Sequence, residues 1–283
     1  VEASPFFTNT SFTNLNFQSV TGQNLEFAEN DREEYFGGTL ALVFDNTVER
    51  AFNLFQGTRA KLEVTQHLHA ENAQQNFGNL KFDARHYQKI HKEITWATRV
   101  LYSKQFGPAA KLNMLGGMDN WLFPRRNTSG QNNPLKFTNE RNNSDMLFNE
   151  FVTNLRGINL NETSGTDALV INTELRVPVF QYLINGPIKS NFLRNFQLTS
   201  FADIGSAWTG PIPFFDGQAI TQRFNSAAFE ADIVRFENPW LGGFGFGLRT
   251  IFLGYYLKVD AARSYIDGEV GNYRFYFTLG VDF

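Results

Sequence analysis

The sequence contains no cysteine. Disulfides, cysteine-ligated zinc, a cysteine nucleophile and a lipid-modified cysteine are therefore excluded. No apolar run approaches the roughly 18 residues that a membrane-spanning helix needs. An excess of positive charge is also missing: 25 Lys and Arg face 28 Asp and Glu, for a net charge of -3 and a pI near 5.9. That balance argues against a nucleic-acid surface, because phosphate binding needs a basic patch. The chain opens VEASPFF, with neither an initiator Met nor a basic start. No signal peptide is recognisable there, and the chain reads as a processed product or a fragment.

Phenylalanine dominates what is present, with 31 Phe against 9 Tyr and 4 Trp. Apolar residues recur at every second position. Leu40, Leu42 and Phe44 share a face opposite Thr39, Ala41, Val43 and Asp45. Ala60, Leu62, Val64 and Leu68 oppose Arg59, Lys61, Glu63, Thr65 and His67, and Leu80, Phe82 and Ala84 oppose Lys81, Asp83 and Arg85. Ile94, Trp96, Val100 and Tyr102 share another face. Similar runs follow within DALVINTELRVPVF, FQLTSFADIGSAW, GFGFGLRTIF, YYLKVDAAR and the terminal NYRFYFTLGVDF. Each run is about 9–14 residues, long enough to cross a bilayer when tilted. A soluble barrel buries its apolar face, whereas a membrane barrel turns that face to lipid and keeps charges in the lumen. Alternation alone does not choose, and a mean hydropathy of -0.31 suits either. The aromatic load, the strand length and the connections favour the membrane version.

The connections separate into two sets. One set is 46–57, Ile90-His91-Lys92, 181–193 and Leu253-Gly254; the other is 69–76, 106–166, 208–241 and 265–272. The two longest loops share a set, as in transmembrane barrels with short turns on one side and long loops on the other. Nine runs are clear, and a weaker one within 6–20 makes about ten (8–12). The expectation is a single all-β domain over 1–283, an antiparallel transmembrane β-barrel. The stretch 106–166 is its long extracellular or lumenal loop and 208–241 a second external loop, with the Asn-rich 127–144 inside the first.

Three ordered motifs carry a family resemblance: Leu155-Arg156-Gly157, then Glu174-Leu175-Arg176-Val177-Pro178, then Phe201-Ala202-Asp203-Ile204-Gly205. LVFDNTVERAFNLFQGTRAKLEV and NMLGGMDN precede them, and GGFGFGLRTIFLGYYLKVDAA and YRFYFTLGVDF follow. Over roughly residues 35–283 this order resembles the Omp85 superfamily, the BamA and TamA type of outer-membrane barrel, also called bacterial surface antigen. The wording around 191–215 and 237–250 looks most like Bacteroidetes members. Two departures stand out. Family barrels usually have about sixteen strands, and nothing here looks like the family's periplasmic client-receiving domain.

The resemblance implies that the long loop folds back into the lumen, where Arg156 reaches acidic groups on the inner wall, with Glu174 and Asp203 as matching partners. A guanidinium suits bidentate carboxylate partners in a confined lumen, and Gly157 permits a tight turn. A solvated external arginine is the plainer alternative. The terminal strand, with Phe275, Phe277, Leu279 and Phe283 on one face, would pair with the first strand to close the barrel. By resemblance its final aromatic is also the signal read by the outer-membrane assembly machinery.

Other motifs have plainer readings. The glycines Gly243, Gly245 and Gly247 fail the dinucleotide-binding spacing and suit a strand that curves or that another backbone approaches closely. His67 and His69 form a possible metal pair, more cheaply explained by a polar lumen or a loop end. Asp31, Glu33 and Glu34 read as a solvated turn before the first strong strand. Trp96, Tyr102, Trp121, Trp208, Trp240, Tyr255 and Tyr256 lie at run ends and suit interfacial girdles, with ordinary core aromatics as the alternative. No nucleophile–base or zinc motif is present, so no catalytic residue, metal or cofactor is expected. The resemblance implies a bacterial outer-membrane location, with outer-membrane lipid as surroundings. Its function would be insertion or translocation of unfolded outer-membrane protein clients. A membrane anchor or small pore serving a missing periplasmic domain or a periplasmic or outer-membrane partner complex, and a soluble ligand-binding β-barrel, are the alternatives. The strand count leaves open a small closed barrel, the remainder of a larger one, or a homo-oligomer.

Overall fold

Alternation with period two cannot line one side of a helix, but it gives a strand two chemically distinct faces. The chain folds accordingly. The computed structural model describes residues 1–12, 31–126, 147–213, 220–226, 229–235 and 238–280. Along the chain come β1 (Glu2–Phe12), β2 (Asp31–Asp45), the short β3 (Val48–Ala51), β4 (Leu54–His69), β5 (Phe77–His91) and β6 (Ile94–Phe106). Three short strands follow, β7 (Asn113–Leu115), β8 (Glu150–Val152) and β9 (Thr163–Gly165), before β10 (Asp167–Val177). Two single-turn helices, α1 (Val179–Leu183) and α2 (Asn191–Arg194), lead to β11 (Gln197–Trp208). The rest is β12 (Ile220–Ser226), β13 (Phe229–Arg235), β14 (Trp240–Phe252), β15 (Tyr255–Ile266), β16 (Glu269–Val270) and β17 (Arg274–Leu279).

The protein is all-β, and its main sheet has 12 strands in the order β1-β2-β4-β5-β6-β10-β11-β14-β15-β16, with β17 on β15 and β3 on β4. Every ladder in it is antiparallel. Turns therefore alternate between two rims. One rim carries 46–53, 92–93, 178–196 and 253–254; the other carries 70–76, 107–166, 209–239 and 267–273. Residue 1 and residue 280 both lie at the short-turn rim. The 107–166 loop contains its own small sheet, in which β7 pairs parallel with β8 and antiparallel with β9. That loop packs on one face of the main sheet, with Phe148 against Tyr35 of β2 and Trp121 against Tyr276 of β17. The sheet thus wraps around the loop. On the short-turn rim Asn53 reaches across to Tyr256 of β15, its Nδ2 donating to the phenol oxygen at 2.8 Å.

The two faces of the sheet are inverted relative to a water-soluble protein. The outward face exposes Leu40, Leu42, Phe44, Leu62, Leu68, Trp96, Ile171, Leu198, Ile204 and Phe244, with Phe246 72% exposed. The inward face buries Arg99, Asn172, Glu174, Arg176, Asp203, Arg249, Lys258 and Asp260. Inside, chemistry is layered. Toward the long-loop rim, Leu115, Val152, Leu155 and Ile158 of the loop meet Leu101, Val170 and Leu241 of the wall in one apolar cluster. Toward the short-turn rim the interior is ionic.

Several sequence expectations are corrected. The first strand is Glu2–Phe12 rather than a segment within 6–20, and residues 13–20 lie outside the described residues, as does the whole Asn-rich stretch 127–144. Asp31, Glu33 and Glu34 belong to β2, not to a turn. Pairing with β1 supplies a partner for Glu34, to which Asn9 Nδ2 donates at 3.3 Å, and the Tyr35 hydroxyl donates to Glu33 at 3.1 Å. Among the described residues no ladder joins β17 to β1. The outer edge of β17 is met instead by the loop, through an antiparallel bridge between Trp121 and Thr278 and a hydrogen bond from Leu122 N–H to Phe277 O at 3.0 Å. A strand edge offers each donor and acceptor once, so loop and closing strand exclude one another there. The aromatic girdle is also thinner than the sequence suggests. Trp96 and Tyr255 are exposed, but Trp121, Trp208 and Tyr256 are buried: Trp121 lies within the inward-folded loop, Tyr256 points inward with Lys258 and Asp260, and Trp208, which has the outward parity of Ile204, is covered by neighbours that include the Tyr102 ring.

Candidate functional site: the Arg156 brace

The tip of the 107–166 loop is held from three directions. Leu155 N–H donates to Gly117 O at 3.0 Å, and its side chain is fully buried in the apolar cluster. Tyr276 of β17 donates its hydroxyl to Ile158 O at 2.9 Å. Gly157 has φ +87°, and a Cβ there would stand 2.6 Å from Arg263 O on the wall, so only glycine allows this approach. Opposite it, Gly243 of β14 leaves a gap that the backbone of Arg156 fills: a Cβ would lie 1.6 Å from Arg156 O.

This docking points the Arg156 side chain at the wall. Its Nε and Nη2 donate to the two oxygens of Asp203 at 2.7 and 2.9 Å, a bidentate pair. Nη1 donates to Glu174 Oε2 at 2.6 Å, and the backbone N–H also reaches Asp203 at 3.2 Å. The guanidinium lies over the Phe201 ring, 3.5 Å from its centroid. All three charged side chains are essentially inaccessible to solvent. Burial opposes the positive charge, but Asp203 and Glu174 outweigh it and raise the pKa of Arg156. A pair this dry is tolerable only because the geometry is bidentate and the remaining lone pairs are used.

The network continues past Arg156. Arg176 Nε donates to Glu174 Oε1 at 2.8 Å, and its Nη1 to Asn53 O at 3.0 Å. Arg249 stands 3.6 Å from Glu174 and donates to Asp260 Oδ1 at 2.7 Å. Asn172 Nδ2 donates to Asp203 at 2.8 Å and also to the carbonyl of Asn154 in the loop. Three guanidiniums thus meet three carboxylates, Glu174, Asp203 and Asp260, linking loop, wall and the short-turn rim. A second group joins β5 and β6, where Arg85 and Arg99 both grip Asp83.

Sequence reasoning singled out Arg156, Glu174 and Asp203, and the structure brings them into contact. It did not single out Arg249 as part of a site. The signal was available in parity: Arg249 shares the inward face of Gly243, Gly245 and Gly247. Parity also set Tyr276 opposite Phe275 and Phe277; Asn53, in a turn, carried no such signal. Phe275 and Phe277 are exposed on the outward face, 59% and 41%, and Leu279 is half-buried; Phe283 lies outside the described residues. His67 stacks on Phe77 at 4.4 Å within an aromatic group, and the Nδ1 of His69 accepts from the Glu71 and Asn72 N–H groups to cap a turn. Among the described residues no group of three His, Cys, Asp or Glu is placed to hold a metal. The brace offers no exposed nucleophile and no proton-transfer pair; what it can do is fix the loop to the wall.

No protein-family model matches this sequence, and no curated protein matches it either.

Proposed function

We propose that this chain forms a transmembrane β-barrel wall in the bacterial outer membrane and serves there as an Omp85-type insertion or translocation factor for unfolded outer-membrane proteins. The inverted burial carries the membrane part of this reading. An apolar outward face costs free energy in water over its whole area and none in lipid, while the buried charges suit a lumen. The short-turn rim is then periplasmic and the long loops external. The insertase part rests on the ordered motifs from Leu155 to Gly205 and on the braced loop they form. A small open pore is less well supported, because the chain's own loop contacts the inner wall from β2 to β17. A membrane anchor for a partner complex is the second reading, favoured by that same filled interior. A soluble ligand-binding barrel would need its apolar face inside.

The test is reconstitution into liposomes with an unfolded outer-membrane barrel as client. The proposed factor floats with the vesicles and accelerates client folding, and Arg156→Ala slows that folding at equal insertion. Insertion without acceleration leaves the anchor. A chain that stays in the aqueous phase without detergent overturns the membrane reading altogether.

A further inference from the structure

At the short-turn rim, β3, the α1–α2 segment and the end of β14 border an open pocket of about 520 Å³. Its apolar walls include Phe52, Ile184, Ile188 and Ile251, and two guanidiniums, Arg50 and Arg194, line it as well. Arg50 donates to Gln56 at 2.6 Å and Arg194 to Asn191 at 2.6 Å; both partners are neutral. The carboxylates nearest in the chain are committed elsewhere. Asp45 accepts from the N–H and hydroxyl of Thr47 and faces Arg59 at 3.4 Å. Glu49 accepts from Asn53 N–H at 3.3 Å, and Asp203, the nearest to Arg194, holds Arg156 at 2.7 Å. Beside the pocket, Leu183, Phe192, Phe252 and Leu253 are exposed and continue the outward apolar face.

A pocket with apolar walls, two cations that have no carboxylate partner among the described residues and an apolar border matches an amphiphilic anion. We propose that it binds the headgroup phosphate of an anionic phospholipid, with an acyl chain along Phe52, Ile184 and Ile251. The proposal rests on the membrane reading above, which places this rim at a lipid–water interface. The planar guanidinium fork suits phosphate oxygens, and basic residues at an anionic lipid surface gain attraction that isolated cations in bulk salt lose to screening. A free phosphate would use the arginines but leave the apolar walls without a role.

The test loads the protein into vesicles of equal phosphatidylglycerol and phosphatidylcholine, extracts it in mild detergent and measures retained lipid by native mass spectrometry. Phosphatidylglycerol is expected to be retained about tenfold over phosphatidylcholine. Arg50→Gln with Arg194→Gln removes that preference; Arg59→Gln, outside the pocket, keeps it. Excess inorganic phosphate does not displace the lipid. Equal retention of both lipids, or a preference surviving in the double variant, overturns the site, and displacement by phosphate assigns it to a free anion instead. A wild-type chain that enters vesicles but shows no preference sinks this proposal alone. One that never enters them sinks the membrane reading as well.

Discussion

Removing the Arg156 guanidinium would leave Asp203 and Glu174 facing each other in a space that excludes water. The cost of such an uncompensated buried charge is about 3–5 kcal/mol. Arg156→Ala should therefore lower the denaturation midpoint of the reconstituted protein strongly, and Arg156→Lys should recover little, since an ammonium cannot make the fork that spans both carboxylates. Unfolding curves for the two variants check this; a lysine variant matching wild type would refute the bidentate argument. The glycine opposite makes a sharper control. Gly243→Val places carbon where the Arg156 carbonyl lies, 1.6 Å away, whereas a Cβ at Gly186 meets nothing within 4 Å. The first substitution should release the loop to limited proteolysis, and Gly186→Val should not.

At the scale of elements, the 107–166 loop is fastened to the main sheet at two anchorages, the Arg156 tip and the Trp121–Leu122 segment on the outer edge of β17. Residues opposite each other in an antiparallel pair have Cα atoms about 4.5–5.5 Å apart, within the range that a disulfide spans. Leu122 and Phe277 face each other this way, one residue on from the Trp121–Thr278 bridge, and both are exposed. The sequence contains no other cysteine, so Leu122→Cys with Phe277→Cys should give one intramolecular cross-link under mild oxidation, read as a mobility shift that reductant reverses. If the pair stays reduced while the protein is folded, β17 keeps a different partner on that edge.

For the whole molecule, the decisive quantity is the medium its outward face prefers. Phe246 lies midway along β14 and is 72% exposed. In water, Phe246→Arg at such a position should be close to neutral. At the middle of a bilayer it costs about 2–4 kcal/mol. Insertion into liposomes by this variant should fall well below wild type, while Lys61→Arg on the inner face should insert normally. Equal insertion by both variants would place the apolar face against something other than lipid.

Local chemistry by itself determined that this chain forms long strands, where most of them lie and which residues share a face, because side chains alternate across a strand with a period of two. It also placed the long connections on one rim, since antiparallel neighbours alternate direction. The ordered motifs singled out Arg156, Glu174 and Asp203 through resemblance. Which face turns outward was beyond alternation, because a soluble barrel and its inverse have the same period. Only the tertiary structure decided that the loop packs on the charged face, joins Arg249, Asp260 and Asn53 to the brace, buries Trp121 and occupies the edge of β17. These contacts connect residues far apart in the chain, and they exist because the sheet wraps around a loop that supplies the partners its inward charges need.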